Sequence, residues 1–598
     1  MPEQVLNEHL DVIQTSITAG GSALPDSYEV LEIETWTEFN RISYMTLKVR
    51  DGDPQTATFP ISESTHFEPG KEIEVKLGYQ TGALRSVFKG IVVSHALRLD
   101  PDSYSSLVVT CCSKAIQMTI KRSNQLFSNK KDSDIIQALI SDHGLSADVT
   151  ATTAAHKEVL QYQSTNWDFL LTRAELNGML VRTDADKVIV KAPQDLASGD
   201  PVLKLTYGID LISADLAVDA RAQLESVAYT AWDPANLQVV EGRSSEPSLN
   251  RQGNLKGKDL SSTIHGSAAA ASLMTSSFLK KEELEKAALG RLTRSRLSLI
   301  RGTLKFHGNA LPVPGAIIEL GGLGPRFNGN AFVSGVRHEC GQGTWTTSVT
   351  VGIAPELFAE ARDVQPPPAQ AMIPGIEGTH IAIVSKLDSD PDGEYRIQIK
   401  LPTMGDAIVW ARIAQMYASN SFGAFFMPEV GDEVLVVFVN QDPRSPVIIG
   451  SLYGKKNKPP YTADADNTFK AVVTRSKLKL EFEDKNKLII LETPAGNRIT
   501  MDDKNKQILI EDQNSNKITL NDAGIKLDSP KDIVLKAQGK ISLEATGNVT
   551  AKSSGGDFSA EGLNGSLKGS VSAKVEGAQT EVKGTGMLKM QGGMVMIN

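Results

Sequence analysis

The sequence lacks the features that mark membrane, secreted or disulfide-stabilised proteins. None of its 598 residues lies in an apolar run of the roughly 20 residues that a membrane-spanning helix requires. The N-terminal stretch MPEQVLNEHLDV contains acidic residues and no apolar core, so it does not resemble a signal peptide. Three cysteines, Cys111, Cys112 and Cys340, are too few for a disulfide framework. We therefore expect assembly in a reducing cytoplasm, with the adjacent Cys111 and Cys112 on one strand, one side chain inward and one outward.

Signatures of catalysis, metal binding and nucleic-acid binding are also missing. The net charge of −9 argues against a nucleic-acid partner, because phosphate contacts need clustered Lys and Arg. No H-E-x-x-H, G-x-S-x-G, Walker A or Cys-x-x-Cys pattern occurs. Residues 388–393 imitate the start of a calcium loop, but Ile399 stands where a bidentate glutamate is needed, which favours a turn. His307 and His338 lie in strand contexts without an evident partner and are interpreted as structural. We expect no enzymatic activity, no cofactor and no metal.

The first 365 residues are predicted to be mostly strands with a few helices. Alternating runs such as 73–77 indicate strands with one buried face. Helices are predicted at 132–140, at about 165–177 and at 280–292, the last with a stripe of Leu284, Ala288 and Leu292. Residues 244–272 are rich in Ser, Gly, Asn and Ala and are predicted to be a long exposed loop.

A proline cluster at 366–368 marks a boundary, because proline stiffens the chain into an extended spacer. Residues 378–456 then hold about five short strands, a number that suits a small closed barrel of the OB type. The predicted domains are a tail-hub region at 1–365, a Pro-rich linker at 366–377, an OB-fold domain at 378–456, a neck of short strands at 457–524 and a needle at 525–598.

The last third of the chain is periodic. From Leu478 short strands recur about every ten residues, and from Ile525 the unit shortens to eight, with apolar residues at its first and third positions. Gly539, Gly547 and Gly555 keep one phase, as tight corners require. Three chains that each supply one strand per layer would pair every edge and form a rod of roughly 40 Å at about 4.7 Å per layer. A disordered tail and a single-chain solenoid remain alternatives.

Three segments carry recognisable motifs: the predicted barrel, most densely, and the hub at 163–178 and 314–338. The motif residues of the barrel, which we interpret as structural, are Trp410, Arg412, Gln415, Pro428, Gly431, Asp432, Glu433, Asp442, Pro443, Pro446 and Gly450. These motifs resemble the VgrG family, the spike proteins of type VI secretion, which are related to the hub and needle of contractile phages and to the spikes of extracellular injection particles.

The resemblance implies a mainly β fold: two barrel-like hub domains with a few helices, an OB-fold barrel, and a C-terminal trimeric intertwined β-helix (a β-prism) as needle. It further implies a homotrimer whose hub docks on the tail tube and baseplate, and whose needle tip accepts a small PAAR-type tip protein. The candidate tip-binding residues are Met594, Val595, Met596, Ile597 and Asn598. Alternatively, these residues simply close the core of the prism.

The implied function is that of the central trimeric spike of a contractile injection system, which caps the tail tube, pierces the target envelope and carries a tip protein and effectors. Such a spike is assembled in the cytoplasm and is exported or released on firing, with transient contact to the target membrane. One alternative is a phage hub with a cell-wall hydrolase, but residues 455–469 leave too little room for an inserted domain. Another is a tailspike-like adhesin, for which a broad aromatic face is expected, yet no Trp or Tyr follows Tyr461.

Overall fold

A computed structural model describes residues 3–4, 12–100, 104–196, 200–275, 279–360 and 368–597. The chain divides into two compact units, Met1–Ser451 and Leu452–Asn598. Strands dominate both units, which confirms the predicted mainly β class. Residues 366–367 of the predicted linker and Asn598 lie outside the described residues. The domain boundaries given above stay predictions.

The first part of unit one is built on strands separated by short helices. Its strands are β1 (Glu3–Gln4), β2 (Ile13–Ala19), β3 (Ser22–Ala23), β4 (Val30–Glu38), β5 (Tyr44–Arg50), β6 (Glu72–Tyr79), β7 (Arg85–Arg98), β8 (Ser106–Cys112), β9 (Arg122–Lys131), β10 (Ser146–Val149), β11 (Ala155–Thr165), β12 (Leu180–Asp184), β13 (Lys187–Lys191), β14 (Leu203–Thr206), β15 (Leu211–Val218), β16 (Ser226–Asp233), β17 (Gln238–Arg243), β18 (Ala270–Thr275), β19 (Ile300–His307), β20 (Ile317–Gly321), β21 (Gly329–Gly341) and β22 (Thr344–Val351). The helices are α1 (Asp132–Ser141), α2 (Asn166–Leu176), α3 (Pro193–Leu196), α4 (Gly257–His265) and α5 (Lys281–Leu297).

Fourteen of these strands share one hydrogen-bonded sheet that branches at the long strand β21. Strand β21 pairs with β4, β20 and β22, so it belongs to two groups of strands at once. Each group encloses a core of its own: Met45, Leu47 and Val75 are fully buried in the first, and Phe306 and Val349 in the second. The hub therefore consists of two groups of strands, each with its own core, and the two groups share strand β21.

The three predicted helices correspond to α1, α2 and α5. The hydroxyl of Thr165 caps α2 by accepting a hydrogen bond from the backbone N–H of Asp168 at 3.0 Å, and Gly178 follows the helix with φ of +67°. The stripe on α5 is buried: Leu284 and Ala288 have no exposed surface and Leu292 is 1% exposed. In these helices the capping residues and the spacing of the apolar residues indicate the same helix, and both can be read from the sequence.

The predicted loop at 244–272 is wrong in part. The structure places α4 and the start of β18 within it. Strand β18 pairs in parallel with β16, with Ser226 opposite Ala270. Its strand conformation therefore depends on a partner more than 40 residues away, which local composition does not reveal.

A closed barrel follows. Its elements are β23 (Thr379–Lys386), β24 (Ile397–Leu401), β25 (Ala407–Ile413), the short pair β26 (Ala418–Ser419) and β27 (Phe422–Gly423), β28 (Glu433–Phe438) and β29 (Pro446–Ser451). Five of them close in the order β23–β24–β25–β29–β28. Alternate residues fill the interior, among them Ile397, Ile399, Val434 and Val436. This confirms the prediction of a five-stranded barrel.

Unit two contains one seven-stranded antiparallel sheet in which every strand pairs with the next along the chain. The strands are β30 (Phe469–Val473), β31 (Lys479–Glu483), β32 (Leu488–Glu492), β33 (Arg498–Asp502), β34 (Gln507–Glu511), β35 (Lys517–Asn521) and β36 (Gly524–Asp528). We call this sheet the neck sheet. Residues 530–597 are exposed in the single chain.

Candidate functional site

The family-motif residues cluster around the barrel ends. Trp410 and Arg412 lie on β25, and Gln415 follows it. The side-chain amide of Gln415 donates to the carbonyl oxygen of Phe426 at 3.0 Å, which ties the end of β25 to the segment before β28. These residues hold the long β25–β28 connection against the barrel.

A second group shapes the turns on either side of β28. Pro428 is buried, Gly431 has φ of +92°, and Asp432 accepts a hydrogen bond from the backbone N–H of Glu429 at 2.8 Å before β28 begins at Glu433. Only glycine adopts such a φ without strain. The motif thus sets the chain direction into the strand.

The third group precedes and forms β29. The carboxylate of Asp442 accepts hydrogen bonds from the backbone N–H of Arg444 at 2.9 Å and from its guanidinium at 2.6 Å. These contacts lower the pKa of Asp442 to about 2. Pro443 lies within this turn, Pro446 is buried as the first residue of β29, and Gly450 pairs with Leu435 on the neighbouring strand β28. None of these contacts arranges a nucleophile or an acid–base pair.

The β25–β28 connection carries an exposed apolar group that sequence reasoning missed. Met416, Tyr417, Phe422, Phe425 and Phe426 are each between 57% and 91% exposed. Their order along the chain follows neither strand nor helix spacing, so no periodic signal identifies them.

The neck sheet has one face made almost entirely of large apolar side chains. Cross-strand registers place Leu480 opposite Leu491, Leu491 opposite Ile499, and Ile499 opposite Ile510. We call this surface the apolar face; its members are Val472, Leu480, Phe482, Ile489, Leu491, Ile499, Met501, Ile508, Ile510, Ile518, Leu520, Ile525 and Leu527. Met501 is 46% exposed and Leu491 is 52% exposed. An uncovered apolar surface of this extent marks an interaction site.

The candidate tip residues Met594, Val595, Met596 and Ile597 are at least half exposed in the single chain, and Asn598 lies outside the described residues. Four consecutive apolar side chains in solvent form a second candidate contact surface. Their role stays a prediction.

The structure tests two interpretations made from the sequence, namely that His338 is structural and that residues 388–393 form a turn. His338 does have a partner: its Nδ1 lies 3.0 Å from the hydroxyl of Thr347 on the paired strand, and burial lowers its pKa to about 4. Asp390 pairs with the guanidinium of Arg396 at 2.6 Å, so this segment is a turn held by an ion pair. Among the described residues, no group of three or more Asp, Glu, His or Cys is arranged to hold a metal ion.

Cys111 and Cys112 lie at the end of β8, where Cys111 is fully buried and Cys112 half-buried. Burial raises the pKa of both thiols, and it raises the pKa of Cys340 to about 11. The predicted inward and outward arrangement on a strand is confirmed.

Three family models match the chain. Residues 9–342, more than half of the chain, match the Alg8 N-terminal domain. Residues 380–453 match the type VI secretion system/phage-baseplate injector OB domain, and residues 488–553 match the phage baseplate V C-terminal trimerisation domain. The chain belongs to the Alg8 N-terminal domain family. The match to the trimerisation domain covers most of the neck sheet.

Curated relatives carry VgrG names, one as a spike protein and one as a toxin. The type VI secretion system spike protein VgrG1b of Pseudomonas aeruginosa is 23% identical over 68% of this chain and 57% of its own length. The actin cross-linking toxin VgrG1 of Vibrio cholerae is 22% identical over 69% of this chain and 40% of its own length. The chain therefore spans about half the length of these relatives.

The structural comparison matches chains from a prophage and from a secretion system. The 43 kDa tail protein of prophage MuSo2 from Shewanella oneidensis is 13% identical, covering 57% of this chain and 98% of that one, with a TM-score of 0.42. An E. coli component of the type VI secretion system is 16% identical, covering 73% and 99%, with a TM-score of 0.36. In the described part of the chain, no helix is long and apolar enough to cross a membrane.

Proposed function

We propose that this chain is the central trimeric spike of a contractile injection machine: it caps the tail tube, pierces the target envelope and carries a tip protein and effectors. The apolar face of the neck sheet supports this proposal most strongly. Thirteen large apolar side chains stand on one side of a single-layer sheet. A sheet needs a second layer to bury such a face, and further copies of the same chain supply it.

The dimensions of the apolar face favour a thin prism. Most neck strands place two apolar residues on this face, about 7 Å apart, so the face is narrow. Seven strands at about 4.7 Å per step make it roughly 28 Å long. Three such ribbons enclose a slim apolar axis, and the match of residues 488–553 to a trimerisation domain supports three as the number of copies.

The remaining parts of the proposal follow the order of the chain. The hub, with its two groups of strands, docks on the tail tube and baseplate, and the barrel connects it to the needle. The exposed residues Met594 to Ile597 receive a PAAR-type tip protein or close the prism; methionine adapts to irregular partners. The spike acts mechanically and not as an enzyme. It is assembled in the cytoplasm, and it leaves the cell or particle when the sheath contracts.

Light scattering of the purified full-length chain tests the trimer. We expect a mass of three times 64.4 kDa, and a looser assembly when residues 525–598 are removed. A matched pair of variants distinguishes the contributions of the two faces of the neck sheet to trimer formation. Met501→Glu puts a charge on the apolar face and should dissociate the trimer, whereas Thr500→Glu, on the opposite face of the same strand, should not. A stable wild-type monomer, or equal behaviour of the two variants, contradicts the proposal.

A further inference from the structure

The polar face of the neck sheet carries a column of charges that alternate in sign. One residue of each strand from β31 to β36 belongs to it, and each stands directly opposite the next in the backbone register. We call this column the charge ladder; in the neck its members are Lys479, Glu492, Arg498, Glu511, Lys517 and Asp528. Opposite charges in directly opposed positions stabilise a sheet, and like charges there destabilise it.

Side-chain geometry shows that the rungs interact. The ammonium of Lys479 lies 2.7 Å from the carboxylate of Glu492, and that of Lys517 lies 3.4 Å from the carboxylate of Glu511. The bond to Glu492 raises the pKa of Lys479, and the same contact lowers the pKa of Glu492. Two of the five rungs of the ladder in the neck are therefore ion pairs, and in the other three opposite charges face each other in the backbone register.

The same order of signs continues in the sequence beyond the last neck strand. Lys536, Glu544, Lys552, Lys568 and Glu576 each directly follow the third octad position, as Asp528 does. Glu561 and Lys583 follow Ala560 and Val582, one position later and one position earlier in the octad. Counted from Asp528 through these seven residues, the steps are 8, 8, 8, 9, 7, 8 and 7 residues, and the sign changes at each of them; the alternation ends at Lys583, because Lys589 after Leu588 is again positive. Charges that served only to keep this face hydrated would not need to alternate in sign.

We propose that the charge ladder runs the length of the needle and fixes the register in which three copies of this chain associate. This inference rests on the trimer proposed above. In a prism each octad lies against the next octad of the repeat. Charges whose signs alternate along the sequence therefore also alternate along the needle. In an intertwined prism the neighbouring octad comes from another copy, so the rungs join different chains.

The apolar positions cannot set this register by themselves. Ile525, Ile533 and Ile541 occupy the first octad position in succession, and Leu527, Leu535 and Leu543 occupy the third. A chain displaced by one octad therefore buries nearly the same side chains. The same displacement places like charges opposite each other along the ladder. A displacement by two octads again places opposite charges against each other. The spacings of 9 and 7 residues on either side of Glu561 then lie against spacings of a different length in the neighbouring chain, so the charges there no longer align.

Charge reversal within the full-length trimer tests the proposal. Lys536→Glu puts three like charges in succession, from Asp528 to Glu544. The matched control is Lys531→Glu, which changes the net charge equally at the seventh octad position, where the following octads carry Gly539 and Gly547. The double variant Lys536→Glu/Glu544→Lys keeps the wild-type net charge but retains two like-charge contacts, to Asp528 and to Lys552. The urea concentration at which the trimer dissociates is measured at low ionic strength and in about 1 M NaCl, where the Debye length is ~3 Å.

We expect Lys536→Glu and the double variant to dissociate at lower urea concentration than both the wild type and Lys531→Glu. The difference should shrink in high salt. A trimeric wild type with equal midpoints for Lys536→Glu and Lys531→Glu overturns the ladder and leaves the trimer standing. A double variant as stable as the wild type overturns it too, because net charge then explains the effect. A monomeric wild type overturns both proposals.

Discussion

The buried ion pair between Glu175 of α2 and Arg294 of α5 offers a sharp test of how the hub is held together. The two side chains are 5% and 11% exposed. The guanidinium of Arg294 also donates to the carbonyl oxygen of Ala354 at 3.1 Å, and the carboxylate of Glu175 accepts the backbone N–H of Phe358 at 2.7 Å. The pair thus fastens two helices to the segment that leaves the hub.

Replacing Arg294 by Met removes the cation and leaves Glu175 buried. Removal of one partner from a buried pair costs about 3–5 kcal/mol. In a domain of this size that loss lowers the thermal midpoint by on the order of 10 °C. Burial already raises the pKa of Glu175, and loss of the cation raises it further. A carboxyl with a raised folded pKa contributes stability at low pH that is lost as the pH rises, so the deficit of Arg294→Met should be smaller at pH 5 than at pH 7.5.

The assay is differential scanning fluorimetry of the full-length protein at both pH values. Arg291→Met is the matched control, because Arg291 lies on the same helix and pairs with Glu360 at 2.9 Å near the surface. An exposed pair contributes about 0–1 kcal/mol. The double variant Glu175→Gln/Arg294→Met should regain much of the lost stability. Equal losses for the two arginine variants, or a deficit that grows as the pH falls, would refute the reasoning.

Three further predictions concern His338, Gly308 of the hub and Gly450 of the barrel motif. Because burial lowers the pKa of His338 to about 4 from 6.5, the unfolded chain binds its proton first as the pH falls. His338 should therefore cost about 3 kcal/mol of stability by pH 4, a loss that His338→Gln abolishes in a pH series of thermal midpoints. A Cβ on Gly308 would stand 1.9 Å from the Trp345 ring, so Gly308→Ala should destabilise the hub by about 1–3 kcal/mol. Gly450→Ala meets nothing within 4 Å and should leave the midpoint nearly unchanged; a large loss there would assign Gly450 to an assembly contact.

Sequence patterns predicted those helices and strands whose formation depends on neighbouring residues in the chain. The run that ends at Leu401 alternates, because burial of one face imposes a period of two. The segment of β28 is instead a near-continuous run of residues that favour strands, and it predicts a strand through that composition. Helix α2 was visible in its cap at Thr165 and its stop at Gly178. The five-stranded barrel followed from strand count alone.

Features that depend on distant partners were not predictable in the same way. Strand β18 was assigned to a loop because its pairing with β16 leaves no mark on composition. The partner of His338 is nine residues away along the chain, and only the register of β21 against β22 brings Thr347 beside it. The exposed aromatic residues near Phe425 follow no period. Resemblance to a family supplied the motif positions, whereas their hydrogen bonds required coordinates.

The uncovered apolar face also has a kinetic consequence. If the neck trimerises as proposed, a newly made chain presents thirteen large side chains to solvent until two more copies arrive, so its neck cannot complete folding alone. The rate of that step depends on the local concentration of nascent chains, and dilution prolongs the exposure. During this interval the unpaired outer edge of β30 and the apolar face are competent to bind any other exposed strand. Synthesis of several copies on one messenger would shorten the delay, and premature capture would divert chains into aggregates.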